Sequence, residues 1–376
     1  MELKKYKLGD VADIVNGATP STHNSENYDG SIIWITPKDL SDQKQKIIRR
    51  GQRNISEIGF NNCSAQMIPP YNILMSSRAP IGLLAINENE CCTNQGFKNL
   101  VLDKSICDTD YMYYYLQFHM KEIEALGSGT TFKEISKSAL QGLEIRLPNL
   151  EKQRDIAKCL SDLDRKIELN MQINDNLEAQ LRLITSRYIF SCPNLEKKRI
   201  GEIATIKAGG DCPITFSKTR TQKCNIPIFS NGTEDRGLYG FTNKANIEGH
   251  SITVAARGTI GYCERRLMPF VPIIRLLAIT PKEDGAYIYL HQVIRGMKFK
   301  KNGSVQQQLT VPEISFIEIP YPYSSVLREY NKVASPIVEM IERNISENEI
   351  LTKQRDELLP LLMNGQASVN YHLSAY

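Results

Sequence analysis

From Glu151 to Phe190 the chain is written as one long helix. Ile156, Leu160, Leu163, Ile167, Leu177, Leu181 and Ile184 recur at alternating spacings of four and three. That is the a/d seam of a coiled coil, which must be covered by another helix. Asn170 and Asn174 stand at seam positions where apolar residues are expected. No Gly or Pro occurs before Pro193. At ~1.5 Å per residue such a helix makes a rod of roughly 60 Å.

The partner is written in the same chain, 174 residues later. Leu163, Ile167, Asn170, Asn174, Leu177, Ile184 and Tyr188 return as Ile337, Ile341, Asn344, Asn348, Leu351, Leu358 and Leu362. Leu181 becomes Arg355, and Pro336 is expected to interrupt the first turns of the copy. A buried Asn costs stability but selects register and orientation. Two Asn near the midpoint of both helices suit an antiparallel pair. The bland alternative is an amphipathic surface helix with solvated Asn.

The repeat extends beyond the helices. Leu3 to Gly17 matches Leu195 to Gly209 at an offset of 192, and each ends at a Gly that permits a tight bend. A strand follows in each half, ending in Thr36-Pro-Lys38 and in Ser230-Asn231. Loops after such strands commonly display binding groups. Next, Arg78-Ala-Pro-Ile-Gly82 matches Arg257-Gly-Thr-Ile-Gly261 at an offset of 179. An Arg before a Gly turn can present its guanidinium to a phosphate or a guanine edge. It can equally pair with a carboxylate and brace the turn.

A helical stretch carrying Tyr111, Tyr113, Tyr114 and Tyr115 comes next; these rings either stack on bases or pack a core. Then Ser128-Gly-Thr130-Thr131-Phe-Lys133-Glu-Ile-Ser136 aligns with Asn302-Gly-Ser304-Val-Gln306-Gln307-Gln-Leu-Thr310, at an offset of 174. Ser136 and Thr310 are candidate helix N-caps. The loops offer donors and acceptors for phosphates or base edges, or are plain capping loops. A strand ending at Pro148 or Pro322 closes each module. The offset falls from 192 to 179 to 174, so every length difference lies inside the globular modules and the back of each repeat is ungapped. That suits two readers held at a fixed spacing.

Composition narrows the class. The chain has 376 residues, 41% hydrophobic and 23% charged, as in ordinary globular proteins with two or three domains. No apolar run approaches the ~18 residues of a membrane span, and the first residues lack the apolar core of a signal peptide. Nine Cys with no C-x-x-C pair fit free thiols in a reducing cytoplasm. Net charge is +4 and the pI about 8.4, a mild bias for a nucleic-acid binder. Local clusters are sharper: Lys44, Lys46, Arg49, Arg50 and Arg53; Lys218, Arg220 and Lys223; Lys298, Lys300 and Lys301. Each is either a solvated face or a phosphate site.

Catalytic signatures are missing. Met67-Ile68-Pro69-Pro70-Tyr71 has the shape of the D/N-P-P-Y/F motif of amino-methylating DNA enzymes, but Ile68 cannot hold a target amine. There is no phosphate-binding G-x-x-x-x-G-K-[ST] and no G-x-S-x-G elbow.

Taken in their duplicated order, these segments resemble the specificity (S) subunit of a type I restriction–modification system. The resemblance rests on L-G-D-V-A-D-I and I-G-E-I-A-T-I, the two R-x-x-I-G cores, and G-T-T-F-K-E-I-S with G-S-V-Q-Q-Q-L-T. It also includes E-K-Q-R-D-I-A and K-Q-R-D-E-L-L-P-L-L-M-N-G. It implies an α+β chain with an internal pseudo-twofold repeat, in which two α/β target recognition domains are separated by two long antiparallel coiled-coil helices. The expected division is domain 1 at 1–150, spacer helix 1 at 151–190, domain 2 at 191–325, spacer helix 2 at 326–366 and a tail at 367–376.

Each domain would bind half of a bipartite site in double-stranded DNA. The DNA contacts would come from Thr36, Lys38, Arg78, Ser128, Thr130, Thr131 and Lys133 in one half. In the other they would come from Ser230, Asn231, Arg257, Ser304, Gln306 and Gln307. Helix packing would use Ile156, Leu160, Leu163, Ile167, Asn170, Asn174, Leu177 and Leu181 against Ile337, Ile341, Asn344, Asn348, Leu351 and Leu358. The resemblance implies two modification (M) subunits carrying S-adenosylmethionine and restriction (R) subunits using ATP and Mg, with no cofactor, metal or catalytic residue in this chain. The alternative is a non-catalytic coiled-coil scaffold that binds only protein.

Overall fold

The structure is a computed structural model describing residues 2–43, 45–78, 80–128, 133–193, 195–299 and 308–369. The chain forms two compact units, Met1–Glu168 with Glu347–Tyr376, and Leu169–Ser346. Both mix helix and strand, as an α+β chain requires.

In the first unit the strands are β1 (Lys4–Lys7), β2 (Ala12–Asn16), β3 (Tyr28–Ile32), β4 (Trp34–Ile35), β5 (Ile47–Ile48), β6 (Ile73–Ser77), β7 (Ile81–Asn87), β8 (Cys92–Thr93), β9 (Lys98–Leu102) and β10 (Glu144–Leu147). They build a five-stranded sheet in the order β2-β9-β6-β7-β5, with β4 and β8 as a short parallel pair. β1 pairs antiparallel with β10, so the module's first strand is closed by its last. The second unit has β11 (Glu196–Arg199), β12 (Ala204–Ala208), β13 (Ile226–Phe229), β14 (Leu238–Thr242), β15 (Ser251–Val254), β16 (Cys263–Arg266), β17 (Val271–Pro272), β18 (Leu277–Pro281) and β19 (Glu318–Tyr321). Its sheet runs β12-β18-β15-β16, β13 pairs parallel with β17, and β11 pairs with β19. The internal repeat in the sequence is thus a repeat of topology.

The first long helix runs Leu150–Thr185 and continues into a wider π-type turn, Ser186–Phe190. The second runs Ser324–Met363. The interruption expected at Pro336 does not occur. Pro336 is exposed, so water can take up the carbonyl its missing N–H leaves free.

Each unit contains its own antiparallel stretch of helix pair. In the first, Asn348 donates to the Ile167 carbonyl at 3.3 Å and Arg355 to Asp164 at 2.8 Å. In the second, Asn174 donates to the Ile341 carbonyl at 3.3 Å and Asn344 to Asn174 at 2.8 Å. Asn174, Asn344 and Asn348 therefore bond across the pair. Asn170 is 2% exposed. Leu163, Ile167, Leu177 and Leu351 are half-buried.

The outer seam residues serve the modules. Ile156 and Leu160 are buried in the first core with Leu8, Ile14, Tyr111 and Tyr114, and Leu358 packs against it. Leu181 lies in the second core with Ile252, Tyr289, Leu327, Tyr330, Ala334 and Val338, and Ile337 packs against it. Ile341 is 3% exposed. The Tyr cluster is core: Tyr111 and Tyr114 are at most 1% exposed. The repeat also swaps chemistry. Leu181 and Val338, fully buried in the second unit, have Arg355 and Asp164 as their equivalents at the 174-residue offset in the first. An apolar pair in one unit is an ion pair in the other.

Candidate nucleic-acid interface

In each unit four loops meet beside the short parallel strand pair. In the first they follow β4, β6 and β8 and precede Ser136. Asn94 N–H donates to the Ile35 carbonyl at 3.0 Å, Ser77 N–H to Gly96 at 2.7 Å, and Ile135 N–H to Ser77 at 3.1 Å. In the second unit Ile273 N–H donates to Phe229 at 2.9 Å and Leu309 N–H to Ala256 at 2.9 Å. The first and third of these bonds recur at equivalent positions, whereas Ala256 N–H, the equivalent of Ser77 N–H, donates instead to Asn231 Oδ1 at 2.8 Å.

Arg78 and Arg257 each meet a partner within their own unit. Arg78 lies 3.7 Å from Glu134, which also accepts from Lys98 at 3.2 Å. Arg257 donates to Gln308 at 2.7 and 3.2 Å. Glu134 and Gln308 are equivalent positions of the repeat. Each Arg therefore ties its strand end to the base of the following loop. Each site keeps one net positive charge, two cations against a carboxylate in the first and one cation against a neutral amide in the second. The turn after each Arg bends at Gly82 (φ 92°) and Gly261 (φ 89°), a conformation L side chains rarely adopt.

Two further candidates serve the fold. Thr36 donates its hydroxyl to the buried Asp39 at 2.7 Å, which also accepts from Gln52 N–H at 2.8 Å. Asn231 has both ends of its amide engaged: Nδ2 donates to the Ile274 carbonyl and Oδ1 accepts from Ala256 N–H at 2.8 Å. Each satisfies backbone or buried groups that would otherwise be unpaired. Lys38, Ser128 and Lys133 are exposed, and Ser230 is half-buried. Ser128 closes its loop through two backbone bonds with Glu134 at 3.0 and 3.1 Å. Thr130, Thr131, Ser304, Gln306 and Gln307 lie outside the described residues. Ser136 and Thr310 do cap the helices that follow, accepting from Ala139 N–H at 3.1 Å and Glu313 N–H at 3.4 Å.

The first basic cluster is largely consumed by the fold. Lys46 is 12% exposed and bonds Asp110 at 2.5 Å and Ser161 at 2.7 Å. Arg49 pairs with Glu88 and Arg53 with Asp29. Among the second cluster, Lys218 is exposed and lies 4.2 Å above the Tyr239 ring, which neighbours Phe216. Basic and aromatic groups on one exposed surface suit phosphate and base contact. The aromatic half was not visible in the sequence, since Phe216 comes from a loop and Tyr239 from β14.

Glycines 17 and 209 have a different reason from a tight bend. A Cβ on Gly17 would lie 1.8 Å from the Asn94 carbonyl oxygen, and one on Gly209 would lie 2.7 Å from Ile273 N. Each lets the chain pass directly against the turn after β8 or β17. Among the described residues no group of three or more His, Cys, Asp or Glu could hold a metal ion. Nor is any helix long and apolar enough to cross a membrane.

The family model described as type I restriction modification DNA specificity domain matches residues 1–179 and again 194–359. The specificity subunit of the type I restriction enzyme MjaIX of Methanocaldococcus jannaschii is 28% identical, over 96% of this chain and 93% of its own length. The crystal structure of a type I restriction-modification system S subunit from M. genitalium has a TM-score of 0.63 at 19% identity, covering 96% of both chains, and shares the fold. The chain belongs to the type I restriction–modification DNA specificity family. Its part is recognition, and it is a non-catalytic subunit.

Proposed function

We propose that each unit reads one half of a bipartite duplex DNA target, and that the long helices form the coiled-coil spacer between the two recognition domains. The domains and spacers divide at 1–150, 151–190, 191–325 and 326–366, with a short tail. One observation carries the reading: the same four-loop arrangement is built twice on matching backbone bonds, with different side chains displayed on each copy. A duplicated frame with diverged loops suits two different half-sites. In a bipartite target, half-sites on one face of the duplex are about one turn, ~34 Å, apart. Because the back of each repeat is ungapped, the helices keep that spacing while the modules vary.

Lys38, Ser128, Lys133, Ser230 and the loops containing Thr130, Thr131, Ser304, Gln306 and Gln307 lie against DNA. Arg78 and Arg257 position those loops and lend each a positive charge. Two modification subunits dock on the helices and supply S-adenosylmethionine chemistry. Restriction subunits with ATP and Mg join them in the cytoplasm. The test is duplex binding by the complex assembled with its modification subunits, across a salt series. The reading requires log affinity to fall linearly with log salt, by about 0.9 per phosphate neutralised. Binding that ignores salt, or the absence of duplex binding by the assembled complex, favours the protein-only scaffold.

A further inference from the structure

The turn joining β17 to β18 spans Ile273–Leu276 and is closed by Leu276 N–H donating to the Ile273 carbonyl at 3.0 Å. Both central residues are left-handed, Ile274 at φ 51° and Arg275 at φ 62°. Positive φ at both positions is the I′ form, which Asn and Gly fill and a β-branched residue opposes. The surroundings force it. Ile274 N–H donates to Gly210 at 2.9 Å, Arg275 N–H to Gly209 at 3.0 Å, and Gly209 N–H to Leu276 at 2.8 Å. Asn231 holds the Ile274 carbonyl from the other side.

The side chains displayed are not used by the fold. Ile274 is 50% exposed. Arg275 is exposed, and its guanidinium makes no hydrogen bond or ion pair among the described residues. The fold does not need the strain either. The equivalent turn in the first unit, Asn94–Gln95–Gly96–Phe97, contains no residue of positive φ. Asn231 ties the strained turn to the loop bearing Arg257, through Ala256 N–H at 2.8 Å and Thr259 Oγ1 at 3.4 Å. Strain held in place by surrounding contacts, and displaying unused side chains, marks functional sites.

We propose that Ile274 and Arg275 are specificity-determining residues for the half-site read by the second unit. Arg275 donates to guanine O6 and N7, and Ile274 packs on a thymine methyl. This rests on the DNA-recognition reading and adds two residues that it does not otherwise assign.

The test is the double variant Ile274→Asn/Arg275→Gly in the full chain, assembled with its modification subunits. Bound sites are selected from a randomised duplex pool, and the melting temperature is measured alongside. Relief of strain raises Tm by about 4–8 °C. The first half-site is retained, while preference in the second relaxes by about tenfold or more at one or two base pairs. Arg275→Lys keeps the charge but loses the fork, so it relaxes one base pair and leaves the salt dependence intact. A raised Tm with an unchanged second half-site overturns the proposal. So does a lowered Tm, which would mean the turn is unstrained. A wild-type complex that selects no split site overturns the DNA reading instead.

Discussion

The swap between Asp164–Arg355 in the first unit and Leu181–Val338 in the second makes a quantitative prediction. Asp164 is 18% exposed and Arg355 23%, joined at 2.8 Å. Asp164 also accepts from Tyr114 at 2.5 Å. Asp164→Val strands a half-buried guanidinium whose remaining partner is the exposed Asp356. Arg355→Leu leaves the carboxylate with Tyr114 as its donor. Removing one partner of a buried pair costs about 3–5 kcal/mol; partial exposure reduces this to about 2–3 kcal/mol for each single variant. The double variant Asp164→Val/Arg355→Leu installs the pair that the second unit already packs. Tyr114 can still accept from Lys46 at 3.2 Å and turn its hydroxyl to Ser161 at 3.5 Å. The double variant should therefore lie within about 1 kcal/mol of wild type, a coupling of about 3 kcal/mol or more. Thermal unfolding reads this as losses of about 4–12 °C for the singles and under about 4 °C for the double. If the double variant loses as much as the two singles added together, the equivalence of the two positions is wrong.

Burial first, and then the Arg265 and Arg295 guanidinium groups, hold the pKa of His291 well below its ordinary value. The unfolded chain therefore takes up a proton that the folded one refuses. Stability should fall as pH drops below about 6.5, by up to ~1.4 kcal/mol per pH unit, and His291→Gln should flatten that slope in a Tm series from pH 7.5 to 5. Cys212 is exposed, whereas Cys91, Cys92 and Cys107 are buried with thiols pushed up to about 12 by desolvation first. A maleimide time course on native protein should label Cys212 first and the other three only on unfolding; rapid labelling of Cys107 would contradict the core assignment. Gly261→Ala forces φ 89° on a residue with a Cβ, 2.5 Å from the Phe299 ring. It should cost about 1–3 kcal/mol, measured by denaturant unfolding, and an unchanged midpoint would remove the steric case for the R-x-x-I-G glycine.

The sequence showed what is periodic or repeated. The helix seam, its Asn, the duplicated strands and the two N-caps are local patterns that tertiary packing left in place. Pro336 misled because its effect depends on which helix face it occupies, and that is decided by packing. The site was harder to foresee. Asn231 and Thr36 looked like ligand groups because a polar residue after a strand is equally suited to bind outward or to brace inward. Glu134 and Gln308 stood inside the aligned loops, but their pairing with Arg78 and Arg257 joins residues more than fifty apart. Ile274 and Arg275 carry no sequence signal at all, since their display depends on φ angles imposed by Gly209, Gly210 and Asn231.

The central claim is that this chain chooses a two-part DNA sequence. The most direct measurement is a genome-wide map of N6-methyladenine in cells with and without this gene, its modification partner being expressed in both. The account predicts a split motif, two short specified halves around an unspecified gap, that vanishes on deletion. A methylation map unchanged by deletion would contradict it.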